Sequence, residues 1–405
     1  MNSDATFLPY ARQMIDDDDI AAVTSVLRGD FLTSGPMVQD FEEKLTQVTS
    51  ASFAICCSSG TAALHLTALA LELQPGDAVI VPSITFLATA NAVRYVGAEV
   101  IFADVDASTG LMTPENFDQA LKQDRKNIKA VFPVHLGGQT PDMSAIHKIA
   151  KQNGLAIVED ASHAIGSTYS CFNGEANIGA CVHSDMATFS FHPAKTIAMG
   201  EGGAITTQSP ILAKRLRLLL NHGMTREPAD FVNKELAFED GKEDGKPNPW
   251  YYEMHEMGFN YRASDIHCAL GLKQLSKLDS FVTERRTLVS YYDKLLAPLV
   301  PLVQSVARVS GGNPAWHLYQ VLIDFDTSGV TRTQLMEVLR HQGISTQVHY
   351  IPVPYQPYYR DRYSPSSLPG AESFYKRCLS LPLFVGMDYS HVERVTAALG
   401  RALNT

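Results

Sequence analysis

From about residue 50 to 220, short β-rich runs alternate with stretches of helical spacing. The runs at 53–57, 78–81, 100–103, 130–134, 156–159, 188–191 and 203–206 are predicted strands. Between several of them, 61–72, 85–95, 114–123 and 142–153 are predicted helices. Alternation of this kind implies a mostly parallel sheet with helices on both faces, so one large α/β unit is expected. The polar segment 225–248 holds two prolines and no sustained periodicity, and reads as a long surface loop. Beyond it, 263–299 has few breakers and predicts one long helix or two consecutive ones. The remainder reads as a smaller α/β unit, with a strand at 318–325, a helix at 331–342 and a terminal helix from about Tyr389. The expected division is 1–260, 261–300 for connecting helices, and 301–405.

The 405 residues carry a formal net charge of -10, with 45% hydrophobic and 19% charged side chains. That balance belongs to a globular protein, and its sign argues against nucleic acid or an anionic membrane as the main partner. The N-terminus lacks a basic region followed by an apolar run, and no stretch is apolar for long enough to cross a bilayer; the cytoplasm is the expected compartment. The six cysteines show no Cys-x-x-Cys spacing and no scaffold density, so no metal is expected and most are read as reduced core residues.

Three segments carry candidate chemistry. SSGTAAL, starting at Ser58, joins a strand to a helix, where backbone N–H groups can hold an anion; equally, Ser59 or Thr61 is simply an N-cap. In AIVEDASHAIG, Asp160 ends an apolar strand, at the edge where open α/β sheets bind ligands, and His163 follows three residues later. Taken alone, that aspartate caps the next turn as readily as it acts. In ATFSFHPAKTIAMGEGGAI, Lys195 follows a strand in an apolar stretch with only Glu201 as a close charge. A desolvated lysine has a lowered pKa and becomes a usable nucleophile. A lysine, an acid and an anion site on one sheet edge match the needs of pyridoxal phosphate: a covalent amine, a carboxylate on the ring nitrogen and a phosphate cup.

With these motifs, and with PSITFLATANAVRYVGAEVIFADVD, GFNYRASDIHCALGLKQL and LPLF in the same order, the chain resembles the DegT/DnrJ/EryC1/StrS sugar aminotransferases from Met14 to about Leu403. The resemblance implies a fold-type I aminotransferase with a large cofactor-binding domain and a smaller C-terminal α/β domain. It implies Lys195 as the cofactor-linked lysine and proton carrier, Asp160 on the pyridine nitrogen and His163 near the phenolic oxygen. Phe86 would stack on the ring, and Gly60, Thr61 and Ser190 would hold the phosphate. Asn260 would reach in from a second subunit, which implies a homodimer. Ala198 and Met199 depart from the hydroxyl residues common there. Within the family, HGMTR, PWYYEM and QVHYIPVPYQPYYR look most like the transaminases of pseudaminic acid biosynthesis, implying a UDP-linked 4-keto sugar with glutamate as donor. Arg226 and Arg360 are then expected to meet the diphosphate, and Tyr355, Tyr358 and Tyr359 to offer the base a flat face. A perosamine- or bacillosamine-type substrate and a non-catalytic ligand-binding role are the alternatives. Lys195 counts against a pyridoxamine-dependent dehydratase, and no GxxGxxG turn supports a Rossmann epimerase.

Overall fold

The structure is a computed structural model that describes residues 7–123, 127–172, 174–241, 245–363 and 367–403. Helices α1 (Asp17–Leu27) and α2 (Pro36–Thr49) lead into β1 (Phe53–Cys57) and α3 (Gly60–Ala70). Next come β2 (Asp77–Pro82), α4 (Leu87–Tyr95), β3 (Glu99–Ala103), α5 (Pro114–Gln123), β4 (Asn127–Val131) and α6 (Met143–Gln152). Then follow β5 (Ala156–Asp160), a hairpin of β6 (Thr168–Cys171) and β7 (Gly174–Asn177), β8 (Met186–Ser190), β9 (Gly203–Thr207) and α7 (Pro210–Leu220).

Seven of these strands form one sheet in the order β1-β9-β8-β5-β4-β2-β3. The pairs β2–β3, β2–β4, β4–β5 and β5–β8 are parallel, and β9 runs against both of its neighbours. Side-chain alternation shows why these strands sit in the middle of the molecule. On β2, Ala78 and Ile80 enter one core while Val79 and Val81 enter the other; on β1, Ala54 and Cys56 part from Ile55 and Cys57 in the same way. A strand apolar on both faces is stable only between two covering layers.

The large-unit strands and helices lie where the pattern predicts them, with ends moved by a few residues. Strand 130–134 is displaced to β4 because Pro133 cannot donate to the ladder; past it, only an isolated bridge joins Val134 to Asp160. The segment 225–248 differs from the expected loop. It contributes β10 (Met224–Thr225), a turn of helix α8 (Lys234–Ala237) and, just beyond, β11 (Glu253–Met254). Phe231, Ala237 and Phe238 are buried there against Tyr251, so the excursion has a small core of its own, although 242–244 lie outside the described residues.

Stretch 263–299 divides into α9 (Asp265–Ser276) and α10 (Leu278–Leu296). The C-terminal part holds β12 (Val303–Ser305), β14 (Tyr319–Ile323) and β15 (Cys378–Leu381) in one antiparallel sheet, while β13 (Gly312–Asn313) extends the β6–β7 hairpin. It is covered by α10, α12 (Arg332–His341) and α15 (Tyr389–Ala402); the short α11 (Phe325–Ser328) precedes α12, and α13 (Pro357–Tyr363) and α14 (Pro369–Arg377) lie between α12 and β15. The chain start does not stay with the large sheet. Leu8 packs into this C-terminal core, its N–H donates to the Gly343 carbonyl, and its own carbonyl accepts from Ser345. All six cysteines are free thiols, and all but the half-buried Cys171 are buried. Among the described residues no helix is long and apolar enough to cross a membrane.

Candidate active site

The C-terminal ends of β1, β5 and β8 open onto a cavity of about 570 Å³. Beyond β8, Phe191 is fully buried and meets Phe41 edge-on at 5.4 Å. A turn follows in which the Lys195 N–H donates to the His192 carbonyl. Thr196, Ile197, Ala198 and Met199 are buried on the far side, with the Met199 N–H on the Phe191 carbonyl at 2.8 Å and the Ala198 N–H on Gln274 of α9. The residues that replace the expected hydroxyls thus anchor the turn by packing. Lys195 is held between two buried anchors and presents its amine to the cavity, half-buried. Burial lowers its pKa to about 8, opposed by the charge of Asp160.

Asp160 is buried at the end of β5. Its Oδ2 accepts from the Thr89 hydroxyl at 2.6 Å and its Oδ1 from the Ser162 N–H at 3.1 Å, while Thr85 and Thr89 share a hydrogen bond at 2.8 Å. Phe86, just before α4, is exposed toward the cavity and 6.0 Å from the ring of Tyr350. At the other end Ser59 caps α3 by accepting from the Ala62 N–H, which leaves the N–H groups of Gly60 and Thr61 at the open helix start. A Cβ on Gly60 would lie 2.7 Å from Cβ of Ser190, so only glycine lets this turn close over β8.

His163 is buried, and its two ring nitrogens meet the Gly137 N–H at 3.2 Å and the Tyr350 hydroxyl at 3.1 Å. Burial and the nearby Lys195 charge drive its pKa well below the usual histidine range, so the ring is neutral. The cavity also takes Tyr10, His317 and His349, none of which the sequence pattern singles out. His317 lies 4.4 Å from His163, ring to ring, and Nδ1 of this buried side chain has no partner among the described residues. His349 bonds the Ser380 hydroxyl at 2.8 Å, and burial pushes its pKa down to about 3.

One expected group stands elsewhere. Tyr359 is buried in the core beneath α4 and donates to Asn91 at 2.6 Å; Arg360 pairs with its neighbour Asp361, and the Tyr358 hydroxyl is 3.5 Å from Arg94. None of the three lines the cavity, nor do Tyr355 and Arg226. The part of that stretch which does line it is 347–351, with Gln356. Asn260 is exposed, bridged to Asn221, and outside the lining of the chain's own cavity.

An amine, a buried carboxylate and an open helix start around one cavity fit pyridoxal phosphate, and the fold around them is that of a fold-type I aminotransferase. The profile of the DegT/DnrJ/EryC1/StrS aminotransferase family matches residues 13–400, and the chain belongs to that family. It is 36% identical over 396 residues to the spore coat polysaccharide biosynthesis protein SpsC of Bacillus subtilis (strain 168), covering 97% of this chain and 96% of SpsC. Among solved structures, Helicobacter pylori PseC, an aminotransferase involved in the biosynthesis of pseudoaminic acid, is 26% identical with a TM-score of 0.86, over 98% of this chain and 100% of PseC. DesV of S. venezuelae is 31% identical with a TM-score of 0.84, over 99% and 100% of the two chains. The protein is a sugar aminotransferase of this family, and its cofactor is pyridoxal phosphate.

Proposed function

We propose that the protein moves an amino group from glutamate to the keto carbon of a UDP-linked 4-keto-6-deoxy sugar, as in pseudaminic acid biosynthesis. The observation that carries the reading is Lys195, an amine with a pKa of about 8 set opposite a buried carboxylate. Pyridoxal phosphate, when bound, supplies an aldehyde for amines and a ring that accepts electrons. The chain supplies the rest. Lys195 Nζ, uncharged in about a tenth of molecules at pH 7 and half of them near pH 8, would link to the cofactor and move the proton at the substrate carbon. Asp160, kept in place by Thr89 and Ser162, holds a proton on the ring nitrogen. Gly60, Thr61 and Ser190 bind the phosphate at the helix start, where anions are favoured. Phe86 would cover one ring face, and His163 would stand near the phenolic oxygen, both from the cavity lining.

We further read residues 1–260 as the large cofactor-binding domain, 261–300 as connecting helices and 301–405 as the small domain, in a cytoplasmic homodimer to which Asn260 contributes across subunits. The similarity to PseC supports the choice of sugar. Incubating the purified protein with glutamate and UDP-linked 4-keto sugars, then identifying the product by mass spectrometry and NMR, tests it. A perosamine- or bacillosamine-type amino sugar as sole product rejects the pathway but keeps the reaction; no amino sugar from any of them rejects both.

A further inference from the structure

The hydrogen bonds around His163 fix the direction of a donor that faces the cavity. The Gly137 N–H reaches Nδ1 of His163, and a backbone N–H can only donate. Nδ1 is therefore the unprotonated nitrogen, and the proton of the neutral ring sits on Nε2. That nitrogen is 3.1 Å from the Tyr350 hydroxyl, so Nε2–H donates and the tyrosine oxygen accepts. The tyrosine's own hydrogen must then point away from His163, and no acceptor for it is found among the described residues. Tyr350 lines the cavity that holds Lys195 and Asp160. Both ring nitrogens of His163 are thus committed before any ligand arrives.

Gly137 is itself held. It has φ of +67°, its carbonyl accepts from the His317 N–H at 2.9 Å, and a Cβ there would meet Gln320 at 2.9 Å. The peptide cannot turn its N–H away without giving up these contacts. Its direction passes to His163 and from there to Tyr350.

We propose that Tyr350 is the hydrogen-bond donor the cavity presents to an electron-rich oxygen of its ligand, with His163 the positioning residue that aims it. The oxygen belongs either to the cofactor ring or to the keto sugar; the proposal rests on the function given above only for the second source. Burial holds the Tyr350 hydroxyl protonated, as a donor requires.

The test combines cofactor-free spectra with ligand binding. In ¹⁵N-labelled protein without cofactor, the His163 ring, assigned by its loss in His163→Gln, should show the neutral Nε2–H form between about pH 6 and 8. An Nδ1–H form or a charged ring overturns the proposal whatever the enzyme's substrate. Tyr350→Phe should then either raise the dissociation constant of pyridoxal phosphate, or leave it unchanged and raise KM for the UDP-linked 4-keto sugar, about tenfold in each case. The first outcome assigns the oxygen to the cofactor and the second to the sugar. Neither shift, in a variant with an unchanged melting temperature, overturns the donor role; where the wild-type protein does not turn over that sugar, the second shift is read as the sugar's dissociation constant in place of KM. Glutamine offers an acceptor and a donor on one amide, so His163→Gln should keep the Tyr350-dependent binding that His163→Leu loses. Equal losses in both would mark His163 as a packing residue and sink its positioning role.

Discussion

An ordinary lysine, with a pKa of about 10.4, is almost wholly charged at pH 8, whereas Lys195 is half neutral there. Only the neutral amine attacks an aldehyde. Cofactor-free protein should therefore bind pyridoxal phosphate covalently at a rate that rises with pH and levels off above a midpoint near 8; stopped-flow absorbance giving a midpoint above 10 would contradict the burial argument. Lys195→Ala removes link and proton carrier together, and turnover should fall by at least about 10²–10⁴-fold, the scale of a lost acid–base group. Asp160→Asn keeps the shape but loses the charge, so kcat should drop far more than cofactor affinity; equal losses point to a purely structural carboxylate. Thr89 extends the same reasoning to a residue the sequence does not advertise. Its hydroxyl donates to Asp160 at 2.6 Å, a bond to a charged group worth about 1.5–3 kcal/mol. Thr89→Val should slow turnover by roughly tenfold or more, and an unchanged rate would mean the Ser162 N–H alone suffices. Lys195 and Asp160 are legible because each follows an apolar strand. A threonine in a helix start has no such signature until the fold brings it beneath the carboxylate.

Periodicity reports which elements exist and which faces they bury, and the seven-stranded sheet accordingly emerges from the pattern with modest shifts at its ends. It does not report which of several neighbouring side chains turns toward a distant element. In QVHYIPVPYQPYYR, His349 and Tyr350 reach the cavity while Tyr359 packs under α4, a difference decided by long-range contacts with α4 and β15. The aromatic stretch is visible in the sequence, and its working end is not. Glycines packed against strand-to-helix junctions are likewise more constrained than composition suggests. A Cβ on Gly203 of β9 would stand 2.3 Å from the Ser59 carbonyl, backbone against backbone, just beneath the start of α3. Gly203→Ala should cost about 1–3 kcal/mol of stability, typical of overpacking, and weaken phosphate binding by pushing α3 away from β8. Urea unfolding with and without pyridoxal phosphate separates the two effects. A variant with a wild-type midpoint and wild-type cofactor affinity would show that the junction yields freely.

The cavity is assembled from parts far apart in the chain: Tyr10 from the segment before α1, the strand ends of the large sheet, and 347–351 from the C-terminal unit. Asn260 is missing from that assembly. It lies exposed beside Asn221, on the segment that returns from the excursion carrying the exposed Trp250, Met254 and Met257. Exposed apolar side chains along one segment are what a subunit contact presents before it closes. If Asn260 completes the phosphate site of a neighbouring subunit, a mixed dimer distinguishes the arrangements. Pairing a Lys195→Ala subunit with an Asn260→Ala subunit puts both defects into one site and leaves the other intact when sites are shared. When each subunit builds its own site, both sites of the pair are damaged. Two affinity tags allow the mixed species to be isolated, and its turnover is then compared with each parent. Recovery toward half the wild-type rate is expected. Activity no higher than the mean of the two parents, in mixed dimers shown to be intact, would assign Asn260 to its own chain's surface and leave the phosphate to Gly60, Thr61 and Ser190 alone.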